Sequence, residues 1–185
     1  MQATTKATIP LLLPVPVESA RVKLESLTLR DAKWVLALLN EPSFIEFIGD
    51  KQVRSEADAK RYLQQGPLHS YQQYGVGLCK ATRTDTNVPI GMVGLLQRDY
   101  LTEPDLGYAL FPEHSGQGLA YEAAQLVLAT TPVAALSAIV NANNEPSIKL
   151  LQKLGFVHAG KLTTPEQQAV QHYRWTRPKV MPILE

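Results

Sequence analysis

Pro112 to Ala124, PEHSGQGLAYEAA, holds the residues whose types and spacing point to chemistry. Gly116 and Gly118 stand at the mouth of a segment in which Leu119, Ala123, Leu126, Val127 and Thr130 recur at helical spacing. Leu106 to Phe111 (LGYALF), just ahead, reads as a strand. A glycine turn that opens a helix leaves the first backbone N–H groups of that helix unpaired. Those donors and the positive end of the helix dipole make an anion site, and phosphate is the usual anion. Glycine suits the turn because it takes positive φ freely and lets a diphosphate approach the backbone. The same pattern also serves as an ordinary strand-to-helix connection, so the rest of the chain must decide.

Other reactive types are sparse. His69, His114, His158 and His172 are scattered, with no metal-ligand spacing, and no metal is expected. The single cysteine, Cys79, excludes an internal disulfide framework, fits a reducing compartment and reads as a small buried residue. Ser147 follows Asn144 at the mouth of a later helix, where serine commonly caps.

The whole-chain numbers set the frame. At 185 residues one domain is the default, large enough to bury about 70% of its unfolded surface without staples. A net charge of +1 argues against a nucleic-acid or membrane-surface role carried by overall charge. The apolar run Ile9 to Val17 contains Pro10, Pro14 and Pro16 and is too short to span a bilayer. It has little basic charge ahead of it and no clean cleavage site, so a cytoplasmic protein without a leader is expected.

These residues need elements to position them. Residues 1–20 read as an extended, proline-fixed arm, 21–178 as one domain and 179–185 as a tail. Arg21 to Leu27 alternates as a first strand. Thr28 with Asp31 resembles a capping box that opens a helix carrying Trp34, Val35, Leu38 and Leu39 and stopping near Asn40. Ser43 to Asp50 is expected to be a loop or short turn that exposes Phe44 and Phe47. Ser55 opens a second helix that Gly66 and Pro67 end. Strands are expected over Tyr74–Arg83, Ile90–Arg98 and Pro104–Phe111, then the glycine turn and its helix. A strand over Ala135–Val140, a short helix from Pro146 or Ser147 to Gly155, and a hairpin of Phe156–Lys161 with Ala169–Thr176 complete the chain. The order βααβββαβαββ implies an α+β fold of three layers: a mixed, mostly antiparallel twisted sheet flanked by helices, with one βαβ unit inside.

At this point the chain resembles a known superfamily. SGQGLA, Ser115 to Ala120, looks like the acyl-CoA pyrophosphate loop of the GNAT N-acetyltransferases, Arg/Gln-x-x-Gly-x-Gly/Ala. NEPSIKLLQKLGF, Asn144 to Phe156, looks like the N-x-x-S-x-x-L-x-x-x-G-F signature of the branch resembling ribosomal-protein N-terminal acetyltransferases. Leu27 to Asp50 and Asp105 to His114 fit that branch, so the likeness runs from about Arg21 to Arg177. One position departs: Ser115 stands where the pattern has Arg or Gln. The lost side-chain donor weakens phosphate contact, while the backbone donors remain.

The resemblance implies an enzyme that moves an acetyl group from acetyl-CoA, its co-substrate, to a primary amine by direct attack. The diphosphate would sit on Ser115, Gly116, Gln117, Gly118, Leu119 and Ala120. The pantetheine arm would pair with the backbone of Ala109, Leu110 and Phe111 like an added strand. An N–H near Leu110 would face the thioester oxygen, a donor worth on the order of 3 kcal/mol in comparable sites. Asn144 would touch the cofactor arm, and Ser147 would be the acid for the departing thiolate or simply the helix cap. Asp105 and Glu103 are the carboxylates placed to act as base, or else solvated loop acids. Phe44, Ile45, Phe47, Tyr100 and His172 would form the acceptor pocket, with core packing the alternative for Phe47. No strong base is required if the acceptor is an α-amine. With a pKa near 8 roughly a tenth is neutral at pH 7, against well under a thousandth of a lysine. A protein N-terminus and a small-molecule amine both remain open as acceptors, and a homodimer is allowed. A non-catalytic acyl-CoA binder of the same fold is the competing reading. A Rossmann-type nucleotide site is disfavoured, since the glycine turn follows late strands and no acidic ribose partner sits about twenty residues on.

Overall fold

The computed structural model describes residues 13–179. The remainder of the expected arm (1–12) and of the expected tail (180–185) lies outside the described residues. The sheet starts one strand earlier than expected, because Val17–Glu18 (β1) pairs antiparallel with Val22–Ser26 (β2), Val17 opposite Leu24. Leu13 is already buried in the core ahead of it.

The capping box forms. Thr28 N donates to Asp31 Oδ2 at 2.8 Å while Thr28 Oγ1 accepts from Arg30 N. A short 3-10 turn then enters α1 (Ala32–Leu39), which buries Ala32, Val35, Leu38 and Leu39. The expected loop over Ser43–Asp50 is replaced by a second short helix, α2 (Pro42–Phe47). Pro42 is its first residue, where the missing N–H would be unpaired in any case. The next helix, α3 (Glu56–Leu63), begins at Ser55, whose hydroxyl accepts from Asp58 N. It does not stop at Gly66 and Pro67. A π-helical turn over Gln64–Leu68 carries both residues into α4 (His69–Tyr74), which ends at Gly75 with φ +69°. The wider turn accommodates a proline that a regular helix interior would reject. The following strand therefore begins at Leu78 rather than Tyr74.

The remaining elements are β3 (Leu78–Arg83), β4 (Pro89–Leu96), β5 (Asp105–Leu110), α5 (Leu119–Thr130), β6 (Ala135–Val140), α6 (Glu145–Lys153), β7 (Val157–Thr163) and β8 (Ala169–Thr176). All strands belong to one sheet in the order β1-β2-β3-β4-β5-β6-β8-β7. Every neighbouring pair is antiparallel except β5 with β6, the product of the βαβ unit. Two apolar layers cover it. Val93, Leu106, Leu136 and Trp175 pack with Leu119, Ala123 and Val127 of α5 and Leu151 of α6. On the opposite face Met92 packs with Val35, Leu38, Phe44 and Leu63 of α1, α2 and α3. The architecture is the expected mixed three-layer fold, with one added edge strand and two added helical turns.

Candidate active site

The site begins where the sheet comes apart. β5 and β6 share a single parallel pair, Asp105 with Ser137, backed by Ser137 N donating to Pro104 O at 2.9 Å. Beyond it the strands diverge. On its other side β5 is fully zipped to β4, from Leu96 opposite Asp105 to Gly91 opposite Leu110. Phe111 N donates to Ile90 O at 2.9 Å. In an antiparallel ladder alternate residues turn their backbone groups to opposite sides. Ala109 and Phe111 therefore bond toward β4, whereas Tyr108 and Leu110 turn N–H and C=O toward the opening. Of the three residues expected to pair with a pantetheine arm, only Leu110 presents its backbone there, and Tyr108 joins it.

The glycine loop follows directly. Gly116 and Gly118 have φ +72° and +77°, a conformation that L side chains rarely adopt. Ser115 N is taken by Pro112 O, and the first helical bond is Glu122 N to Gly118 O. Between them, from Gly116 through Tyr121, no backbone N–H donates to an acceptor among the described residues. A helix mouth with such a run of free donors is what a diphosphate requires. A Cβ on Gly116 would meet nothing within 4 Å, so that position demands glycine for its φ rather than for space. Gln117 braces the loop, its Nε2 donating to Glu113 O at 2.9 Å and its Oε1 accepting from Arg83 Nη1 at 3.3 Å.

Asn144 and Ser147 lie at the mouth of α6. Asn144, not Ser147, caps this helix, because its Oδ1 accepts from Ser147 N at 3.2 Å. The serine hydroxyl is thereby free for another partner, and it has one. Tyr108 reaches across from β5 and places its OH 2.7 Å from Ser147 Oγ. Burial pushes the Tyr108 phenol up to about 12, with the bond to Ser147 pulling the other way, so the phenol is neutral at ordinary pH. Nothing in the local sequence pattern singles out Tyr108. The signal it carries is a lone hydroxyl on the strand parity of Leu106 and Leu110.

The polar candidates cluster on the other face, around the one parallel pair. Asp105 is 2% exposed. Its Oδ2 accepts from Arg98 Nε at 2.6 Å and its Oδ1 has no partner among the described residues. Burial raises its pKa to about 6, against the pull of Arg98. Glu103 differs: burial pushes its pKa up, but the Arg174 guanidinium at 2.8 Å and the Ser137 hydroxyl outweigh it, and the carboxyl is held below its ordinary value. Ser137 Oγ also lies 2.9 Å from His172 Nε2, so Glu103, Ser137, His172 and Arg174 form one chain. Tyr100 is half-buried under the Arg98 guanidinium, 6.0 Å from the ring centroid. Phe44, expected at the acceptor pocket, packs inward. It is 6% exposed and held in the α1–α2 core, while Ile45 beside it is 37% exposed.

Cys79 is buried on β3, and burial pushes its thiol up to about 12, which leaves it un-ionised and unsuited to nucleophilic work. Among the described residues no group of three or more His, Cys, Asp or Glu is placed to hold a metal. No helix among them is long and apolar enough to cross a membrane.

The sheet thus opens after one parallel pair, with a glycine-mouthed helix at the opening. The chain belongs to the acetyltransferase (GNAT) domain family, whose model matches residues 21–157. It is 28% identical over 155 residues to the uncharacterized N-acetyltransferase YoaA of Bacillus subtilis, covering 79% of this chain and 85% of that one. Among solved structures it superposes on the microcin self-immunity acetyltransferase MccE in complex with acetyl-CoA and AMP. That match has a TM-score of 0.76 at 16% identity, over 90% of this chain and 99% of that one. RimL, a ribosomal alpha-N-protein acetyltransferase in complex with coenzyme A, gives 0.74 at 14% identity, over 91% and 97%. At these identities the structures speak for the fold.

Proposed function

We propose that the chain transfers an acetyl group from acetyl-CoA to a primary amine, either a protein N-terminal α-amine or an amine on a small molecule. The observation that carries this reading is the run of free amides from Gly116 through Tyr121, beside a strand whose Tyr108 and Leu110 backbone groups face an opening in the sheet. Acetyl-CoA supplies the activated acyl group as a thioester. The loop amides hold its diphosphate, Leu110 and Tyr108 hold its extended amide arm, and Asn144 borders that arm. As the amine nitrogen bonds to the thioester carbon and the carbon–sulfur bond breaks, Ser147 Oγ gives its proton to the departing sulfur and takes one from Tyr108 OH, while the proton shed by the amine passes to solvent, which reprotonates Tyr108.

The amine enters from the face of Tyr100 and His172. Both nearby carboxylates already accept from an arginine, Asp105 from Arg98 and Glu103 from Arg174. A site so equipped suits an amine that is partly neutral without help, which favours an α-amine or another low-pKa amine over a lysine side chain. The test follows thiol release from acetyl-CoA against peptides with free α-amines, amino acids, polyamines and acetylated-N-terminus lysine peptides. Turnover with the low-pKa amines is expected. Tight acetyl-CoA binding with no turnover on any amine would overturn the transferase reading.

A further inference from the structure

Arg21, the residue before β2, sits far in sequence from the glycine loop but against it in space. Its Nη1 donates to the Gln117 carbonyl at 2.9 Å, and its Nε donates to Glu122 Oε2 at 2.7 Å. Its Nη2 lies 3.3 Å from where a Cβ on Gly118 would stand. Glu122, in the first turn of α5, is itself held from the opposite side. Its Oε1 accepts from Arg21 N at 2.8 Å and from Ser19 Oγ at 2.6 Å. Burial pushes the Glu122 pKa up, but the Ser19 and Arg21 bonds outweigh it and keep the carboxylate ionised. Arg21 is thus clamped at three nitrogens between the helix and the loop.

The geometry points to Arg21 as the positioning residue of the diphosphate loop, acting through the Gln117–Gly118 peptide. In a planar trans peptide the C=O and the following N–H point in opposite directions. By holding the Gln117 C=O on the β2 side, Arg21 turns the Gly118 N–H away from the protein, which is the orientation a bound diphosphate needs. Without that bond the peptide is free to flip, because glycine at 118 accepts either sign of φ. This inference rests on the acetyl-CoA reading above, and it assigns to the β1–β2 edge a part in cofactor affinity.

The test is calorimetric titration of acetyl-CoA into the full-length wild type, Arg21→Met, and the double variant Arg21→Met with Glu122→Leu. Thermal unfolding is recorded for each. The double variant removes the stranded carboxylate and so restores packing, but it does not restore the bond to the Gln117 carbonyl. Both variants are expected to bind roughly ten- to a hundredfold more weakly than wild type, the loss for one charge-assisted hydrogen bond. The double variant is expected to unfold at a higher temperature than the single one. Wild-type affinity in either variant, or affinity that recovers together with thermal stability in the double variant, overturns the positioning role. A wild type that does not bind acetyl-CoA at all overturns the reading beneath it, and this inference falls with it.

Discussion

The Tyr108 hydroxyl lies 2.7 Å from Ser147 Oγ and also reaches the Ser147 carbonyl, at 3.2 Å. One tyrosine thus bolts β5 to the mouth of α6 across the opening of the sheet. The contact fixes the serine rotamer and joins two hydroxyls into a short proton path. Ser147→Ala is expected to lower kcat roughly a hundredfold with little change in acetyl-CoA affinity, as loss of a general acid does. Tyr108→Phe leaves the serine in place but unoriented, and a smaller loss of about tenfold is expected. Steady-state kinetics on any competent amine separate the two. Equal activity of Ser147→Ala and wild type would remove the serine from the chemistry.

Gly118→Glu places a side chain and a negative charge in the donor row while adding strain at φ +77°. Acetyl-CoA at a hundred times its Kd stabilises wild type by about 2.7 kcal/mol. In the variant that thermal shift is expected to vanish while the far-ultraviolet circular dichroism stays native. Retained stabilisation by acetyl-CoA would mean that the loop does not hold the diphosphate.

Asp105 makes an unusual contribution to pH dependence. Its pKa is raised by burial to about 6 in the folded chain, against 3.8 as its ordinary value. The fold therefore favours its protonated form, and that stabilisation is complete below pH 3.8 and is lost as pH rises to about 6. In urea unfolding, the stability of wild type relative to Asp105→Asn is expected to fall by a few kcal/mol across that window and to level off above it. A flat difference would mean that the carboxylate is better solvated than its burial implies.

Thr28→Ala removes one half of the capping box that starts α1, and a loss of about 1 kcal/mol is expected. Asp31→Ala should lose more, about 2 kcal/mol. The same carboxylate also accepts from Trp34 Nε1 at 3.0 Å and lies 3.4 Å from Lys80 Nζ. Denaturant midpoints at constant m-value check both. Losses in the reverse order would mean that the threonine hydroxyl outweighs the carboxylate.

Much of this fold is written locally. Apolar spacing gives α5 and β6 their bounds, Leu119–Thr130 and Ala135–Val140, and Thr28 and Ser55 cap where their types predict. Two differences from the expected elements involve proline. Pro42 starts a helix, and Pro67 sits inside a widened turn, because each lies where its absent N–H leaves no bond broken. β1 escaped notice because a short edge strand has no alternation to display. In the site, Gly116, Gly118 and Asn144 are legible because backbone geometry demands their types. The Tyr108–Ser147 bond spans 39 residues and the Arg21–Gln117 bond 96, and no local pattern records such distances. The burial of Phe44 is likewise not legible, because an aromatic in an expected loop looks available and the helix formed there buries it.

The single parallel pair between β5 and β6 gives this sheet an edge in its middle as well as at its ends. Ordinary edges invite other chains, and proteins shield them. This one is flanked by helices on both faces, so a slender chain with amides spaced like a peptide's can reach it where a whole strand cannot. The exchange of the Tyr108 and Leu110 amide hydrogens with solvent should then be slow only when such a guest is seated. The protein would report its own occupancy through two backbone protons that the apo fold leaves unprotected.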